Sequence, residues 1–262
     1  MTKKHLIITV LVISASIYIS SVYNHSKNSK NKSIKIQDNK TNVLSSNIST
    51  TNSITYNGST FTLNIYKVSD LDNLYLYNNL TNSKTSTNLT QINNCKFLIN
   101  AGFYSTKEEP IGLFITEGET LSIFNTNALL NGIFTINSLA TPRISKALPT
   151  DDIRLALQTG PILIENTSLQ TIKLNNDKKA RRMILAITGS NELYFMAIYT
   201  RESVFNGPFL TDIPLIIEKL NSELNLSIAD AINLDGGSAS AFISDSIKLT
   251  ELSPIGSYFC EK

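Results

Sequence analysis

Histidine is almost missing from this sequence: its two copies, His5 and His25, both lie near the start of the chain. The body that can fold, from about Ile54 onward, therefore has none. That absence excludes Ser-His-Asp and Cys-His catalysis, histidine general bases and the His-Glu zinc helix. Cysteine is nearly as scarce, with only Cys95 and Cys260. Two thiols are too few for a structural zinc site. They fit either one disulfide tying the C-terminus to the body or two separate buried thiols, and spacing alone does not choose between these. No sign of charge dominates either, since 23 Lys and Arg balance 21 Asp and Glu, which leaves no electrostatic basis for a nucleic-acid partner.

What is present is a chain of 262 residues, 42% of them hydrophobic, enough for one substantial core. Lys3, Lys4 and His5 precede an apolar run from Leu6 to Val22, and a positive flank before such a run predicts export. The run falls between a long signal-peptide core and a membrane span of ~20 residues, so a cleaved leader and an N-terminal anchor both remain open. No cysteine follows it, so lipid attachment at a cleavage site is excluded. Residues 24–53 are rich in Asn, Ser, Lys and Thr with few apolar side chains, and such a segment buries too little to offset its ordering entropy. The expected organisation is a signal peptide or anchor over 1–23, a polar tether over 24–53 and one folded domain over 54–262.

Within that domain the alternation of Phe61 to Val68 predicts a half-buried strand, and Leu74 to Tyr77 another. Cys95 to Tyr104 reads as an apolar strand that breaks at Asn100 and Gly102. Pro110 to Ile115, the turn Glu117-Gly118-Glu119 and Leu121 to Phe124 predict a hairpin, followed by strands at Gly132 to Ile136 and Thr141 to Ile144. Thr150-Asp151-Asp152 before Ile153 to Leu157 has the form of a capped short helix. Strands are expected at Ile162 to Ile164, Met183 to Ile187 and Leu193 to Tyr199. One longer helix, capped by Thr211 or Asp212 with Pro214 in its first turn, places Ile213, Ile216, Ile217, Leu220 and Leu224 on one face and ends near Asn225. The strand Ala229 to Leu234 then delivers Asp235 to Gly236-Gly237, and Ala241 to Ile243 and Ile247 to Leu249 close the sheet. The expected class is α+β: a mostly antiparallel or mixed sheet, one long packed helix and one or two short ones, in a single domain behind the apolar segment.

Asn100-Ala101-Gly102-Phe103-Tyr104, Pro110-Ile111-Gly112-Leu113, Gln158-Thr159-Gly160-Pro161, an arginine before a strand, and Asn233-Leu234-Asp235-Gly236-Gly237-Ser238 occur in that order. In motif, order and spacing from Ile54 to Cys260 the chain resembles the phosphodiester glycosidase family. The resemblance implies release of a sugar, N-acetylglucosamine in the founding activity, from a phosphodiester. It implies site positions at Asn100, Gly102, Gly160, Pro161, Arg182, Asp235, Gly236, Gly237 and Ser238. Arg182 fits better than Arg181, because it precedes Met183 to Ala186 at the spacing where the family has arginine before a small residue. Ala101 stands where members often have glycine, and the last glycine run is two long where many have three.

A sugar-1-phosphodiester carries a weakly basic leaving group, so its cleavage demands less of a general acid than an ordinary glycoside does. That suits a body without histidine. Asp235 is the expected base or nucleophile, Arg182 the expected fork onto phosphate oxygens, and the N–H groups of Gly236, Gly237 and Ser238 an expected oxyanion nest. A second carboxylate would come from Glu108, Glu109, Glu117 or Glu165, with nothing in the sequence to choose among them. No cofactor is expected. A divalent cation on Asp235 remains conceivable but lacks a supporting cluster. The expected partner is a carbohydrate or sugar phosphate on the outer face of the membrane, in the periplasm or outside, with the membrane itself a partner if the leader stays attached. The competing reading is a non-catalytic envelope domain that binds glycan or anionic polymer through the same pocket.

Overall fold

The computed structural model describes residues 49–81, 83–148, 150 and 152–262, and the apolar run and most of the polar segment lie outside them. A seven-stranded sheet forms the middle layer. Its order is β1 (Ser49–Tyr56), β2 (Ser59–Lys67), β13 (Leu193–Thr200), β12 (Arg182–Thr188), β14 (Ile228–Asn233), β10 (Ile162–Glu165) and β11 (Ser168–Leu169). β1 begins at Ser49, so the end of the segment read as tether is already paired with β2. Every pairing in the sheet is antiparallel.

Two five-stranded sheets cover one face. The first has the order β16 (Lys248–Leu249), β15 (Phe242–Ile243), β4 (Phe97–Asn100), β17 (Ser257–Glu261) and β3 (Leu74–Asn78). The second has the order β6 (Glu119–Ser122), β5 (Phe114–Thr116), β9 (Ile153–Thr159), β7 (Gly132–Asn137) and β8 (Pro142–Ser145). Alternation along β12 explains the layering. Met183, Leu185 and Ile187 join the core between the sheets with Phe97, Phe134, Phe195, Ile232 and Phe259. Ile184 and Ala186 face the other way, into a second core with Ile213, Ile216, Ile217 and Leu220. Both faces are covered, so β12 and β13 read as continuous apolar runs.

The helix α2 (Ile213–Leu224) lies on that second core, its buried face being the one expected. It ends where Asn225 turns left-handed, φ 52°, also as expected. Its start differs from the expectation: the chain enters through a 3-10 turn at Leu210–Asp212, and neither Thr211 nor Asp212 caps with its own side chain. Asp177 does this instead, its Oδ2 accepting from Thr211 N at 2.9 Å and Thr211 Oγ1 at 3.0 Å.

A second correction concerns Ile153 to Leu157. This segment is no helix but part of β9, paired with β5 and β7 on its two sides. An apolar run this short cannot be told from a buried helix by periodicity, and pairing on both edges outweighs the local acidic signal. Asp151 lies outside the described residues, and the Asp152 carbonyl accepts from Ser138 N. The short helix is elsewhere, at α1 (Ser86–Asn93), capped by Thr85 Oγ1 accepting from Asn88 N. A third difference is that Phe242–Ile243 and Lys248–Leu249 extend the sheet of β4, not that of β14. Cys95 and Cys260 form a disulfide, which ties β17 to the segment entering β4.

Candidate active site

β4, β9 and β14 all end at the same edge of the molecule, where β10 and β12 begin, and the predicted site segments meet there. Leaving β14, the chain crosses toward β4: Asp235 N donates to Ala101 O at 3.0 Å, and Asn100 Nδ2 donates to Asp235 O at 2.7 Å. Asn100 is itself fixed, its Oδ1 accepting from Ala241 N at 2.9 Å. On the other flank Asn233 Nδ2 donates to Gly160 O, Asn233 N to Pro161 O, and Thr159 Oγ1 to Asn233 O. Gly160 and Pro161, joined by a cis peptide bond, therefore brace the strand that carries Asp235.

Two glycines are required by space. A Cβ on Gly160, whose φ is +152°, would lie 2.3 Å from Leu129 O, and one on Gly236 would lie 2.6 Å from Arg181 O. Gly102 is packed against Leu157, and its N–H donates to Ser257 Oγ. These residues shape the loops around Asp235.

The Asp235 carboxyl accepts from Gly236 N at 2.9 Å through Oδ1. Burial pushes its pKa up from 3.8 to about 7, and the Gly236 N–H only partly opposes that shift. No cation contributes to the shift. A carboxyl poised there can carry a proton in either direction near neutral pH. Tyr104 stands close by: its pKa is raised first by burial, then by the charges of Asp235 and Glu108. Its hydroxyl donates to Pro254 O at 2.7 Å. Tyr104 belongs to the motif Asn100 to Tyr104, and nothing in its residue type or spacing marks it as a site residue.

The same geometry sorts the four glutamates. Glu117 pairs with Arg154 at 3.5 Å at the far end of β9, and Glu165 pairs with Lys146 at 2.6 Å at the far end of β10. Glu108 and Glu109 sit on the turn between Phe103 and Ile111, next to Tyr104.

Arg182 comes near the site with its backbone, but its guanidinium points elsewhere. Nε donates to Pro208 O at 3.0 Å, and Nη2 donates to Asp177 Oδ1 at 3.1 Å and to Lys178 O. Arg181 is the arginine on the side of the Asp235 loop. Of the three N–H groups expected as a nest, that of Gly236 is bound to Asp235 Oδ1 and that of Gly237 to Arg181 O. Among the described residues no group of three or more His, Cys, Asp or Glu gathers to hold a metal ion, and no helix is long and apolar enough to cross a membrane.

A family model described as phosphodiester glycosidase matches residues 93–256, well over half of the chain, and that range includes every site position named above. No curated protein matches by sequence. Among solved structures the chain is similar to the zebrafish N-acetylglucosamine-1-phosphodiester alpha-N-acetylglucosaminidase catalytic domain auto-inhibited by pro-peptide. The TM-score is 0.62 at 16% identity, over 83% of this chain and 84% of that one. It is also similar to a hypothetical protein from Synechocystis, with a TM-score of 0.59 at 12% identity over 81% of this chain and 61% of that one. At these identities the likeness is one of fold.

Proposed function

The chain belongs to the phosphodiester glycosidase family, and from that premise we propose that it hydrolyses a sugar-1-phosphodiester at the bond between the anomeric carbon and the phosphate oxygen. Family membership supports glycosidase-type hydrolysis and carries the step to this substrate class, and the Asp235 carboxyl supplies the group for the chemistry. Its pKa near 7 suits a general base better than a carboxylate nucleophile, which a site keeps fully ionised. Asp235 takes a proton from water, the water oxygen bonds to the anomeric carbon, and the carbon–oxygen bond breaks. The phosphomonoester leaves with the bonding pair. Because that leaving group is weakly basic, the reaction can run without histidine and without a strong general acid.

The Cys95–Cys260 disulfide supports an oxidising compartment, in line with the apolar run at residues 6–22. The protein then acts outside the cytoplasm on cell-surface or extracellular glycan, and an uncleaved run would hold it at the membrane. The test is to incubate the protein with a panel of sugar-1-phosphodiesters and measure free reducing sugar and phosphomonoester, with Asp235→Asn as control. Wild-type release that vanishes in the variant is expected. Binding of glycan fragments with no release from any substrate, or an active Asp235→Asn, overturns the assignment.

A further inference from the structure

Arg181 is fully buried, at 0% exposure, and the proposed reaction gives it no task. Its main chain donates to Phe205 O and accepts from Gly237 N, both at 2.9 Å. Its guanidinium reaches the same loop further along. Nε donates to Ser240 Oγ at 2.8 Å, while Nη2 donates to Ser240 O and, at 2.9 Å, to Thr250 O. Ser240 Oγ in turn donates to Gly237 O at 2.6 Å, which closes a ring of bonds from Arg181 through Ser240 to Gly237 and back.

The charge itself has little to pair with. The carboxylate that faces it, Glu251, has its oxygens on Ser86 N and Ser86 Oγ. The Phe205 ring covers the guanidinium at 4.7 Å. Tyr199 is the other titratable group that bears on it. Burying a guanidinium without a dedicated counter-charge is unfavourable, and an isolated surface loop would not need it. What arginine supplies, and lysine does not, is a rigid fork of donors that can hold a hydroxyl and two carbonyls at once. All three acceptors belong to the stretch that follows Asp235.

We propose that Arg181 is a positioning residue for Asp235: by stitching Gly237 to Ser240 and Thr250 it holds the Asp235–Gly236 peptide in place. The Gly236 N–H then stays on Asp235 Oδ1 and the carboxyl stays sheltered from water. From the opposite side Asn100 and Ala101 fix the same residue, so Asp235 is clamped between two strand ends. This role rests on the reading of Asp235 as the base, and it adds a residue that the family spacing had passed over in favour of Arg182.

The test uses the full-length protein with Arg181→Lys, and with Ser240→Ala as a milder variant that removes only the hydroxyl between Nε and Gly237 O. Three readouts are taken: the Asp235 carboxyl titration by NMR, amide exchange at Gly236 and Gly237, and kcat and KM. In Arg181→Lys the titration midpoint is expected to move down from about 7 toward 3.8, as water reaches the carboxyl, and exchange at Gly237 to accelerate. A drop in kcat of roughly tenfold to a hundredfold with KM within about twofold is expected, as for a misplaced catalytic group. Ser240→Ala should move each readout the same way by less, and it decides the matter alone if Arg181→Lys does not fold. Folded variants that keep the wild-type Asp235 midpoint overturn the proposal, even if they are less stable, because a merely structural arginine would behave so. If the wild type turns over no sugar-1-phosphodiester, the proposed function fails, and titration and exchange still decide the role of Arg181.

Discussion

The side-chain amide of Asn100 donates to the main-chain carbonyl of Asp235 at 2.7 Å, while its oxygen accepts from Ala241 N at 2.9 Å. One buried side chain thus joins the end of β4 to both sides of the Asp235 loop. Asn100→Ala leaves the buried Ala241 N–H and the half-buried Asp235 carbonyl without partners, the buried group alone costing about 1–3 kcal/mol. The variant is expected to lose that order of stability in urea denaturation, and to lose most of its kcat because Asp235 is no longer fixed. Unchanged stability would show that the two bonds contribute nothing net.

The raised pKa of Asp235 makes stability and activity move in opposite directions with pH. A free aspartate titrates at 3.8 and this one near 7, so between those values the folded state holds a proton that the unfolded chain has shed. Stability therefore falls as pH rises from about 4 to about 7, and the loss is complete above 7. Asp235→Asn removes this dependence, and at pH 8 it should be at least as stable as the wild type. Urea midpoints at pH 5 and pH 8 check this. Activity should instead rise through about pH 7 as the base loses its proton, and Asp235→Asn should be inactive throughout.

Glycines at the site and away from it should respond differently to a methyl group. A Cβ on Gly236 would lie 2.6 Å from Arg181 O, and that oxygen cannot retreat because it accepts from Gly237 N. Gly236→Ala is expected to lose about 1–3 kcal/mol and nearly all activity. Nothing lies within 4 Å of the equivalent position on Gly189, and its backbone lies outside the left-handed range. Gly189→Ala should be neutral or stabilising by up to about 1 kcal/mol, with full activity. Parallel melting curves and rates for the two variants decide it.

The strands of the middle sheet were legible because their apolar residues alternate or run unbroken over five or more positions, as in Phe61 to Val68 and Met183 to Ile187. Helix α2 was legible from Pro214 and the spacing of its isoleucines. β9 was not, because Ile153 to Leu157 is short and its neighbours β5 and β7 lie far from it in sequence. At the site, Asn100 with Gly102 and Asn233 with Asp235 and Gly236 could be read as strand breaks, Gly160 came in only with the family resemblance, and the structure brings them together. The orientation of adjacent arginines could not. Arg181 reaches Ser240 and Thr250 while Arg182 reaches Pro208 and Asp177, and which of them meets the Asp235 loop depends on how β14 leaves its sheet.

The Cys95–Cys260 disulfide closes a loop between residues 165 apart, and the loss of chain freedom in the unfolded state grows with loop length. Reducing it, or replacing both cysteines by serine, is expected to lower stability by about 2–5 kcal/mol. Both thiols lie in a small core with Leu89, Leu98 and Tyr258, away from Asp235, so activity of the folded fraction should persist. Denaturation with and without reductant, alongside turnover at low temperature, measures the two effects separately.

Arg182 and Asp177 are each about 12% exposed and lie 3.1 Å apart, and each also serves the backbone around the start of α2. Burial acts to raise the Asp177 pKa, but hydrogen bonds from Thr211 and Leu210 and the charge of Arg182 outweigh it, so the net shift is downward. The pair therefore stabilises the fold at neutral pH and is lost as pH falls through the depressed Asp177 pKa. A substrate phosphate on Arg182 Nη2 would compete with Asp177, whose other oxygen caps α2. If Arg182 serves the fold, Arg182→Ala and Asp177→Ala should each lose about 1–3 kcal/mol, and the double variant little more than either alone. KM should then stay within about twofold in whatever fraction remains folded. A KM that rises tenfold or more in Arg182→Ala, with only a small change in stability, would instead assign the guanidinium to the phosphate.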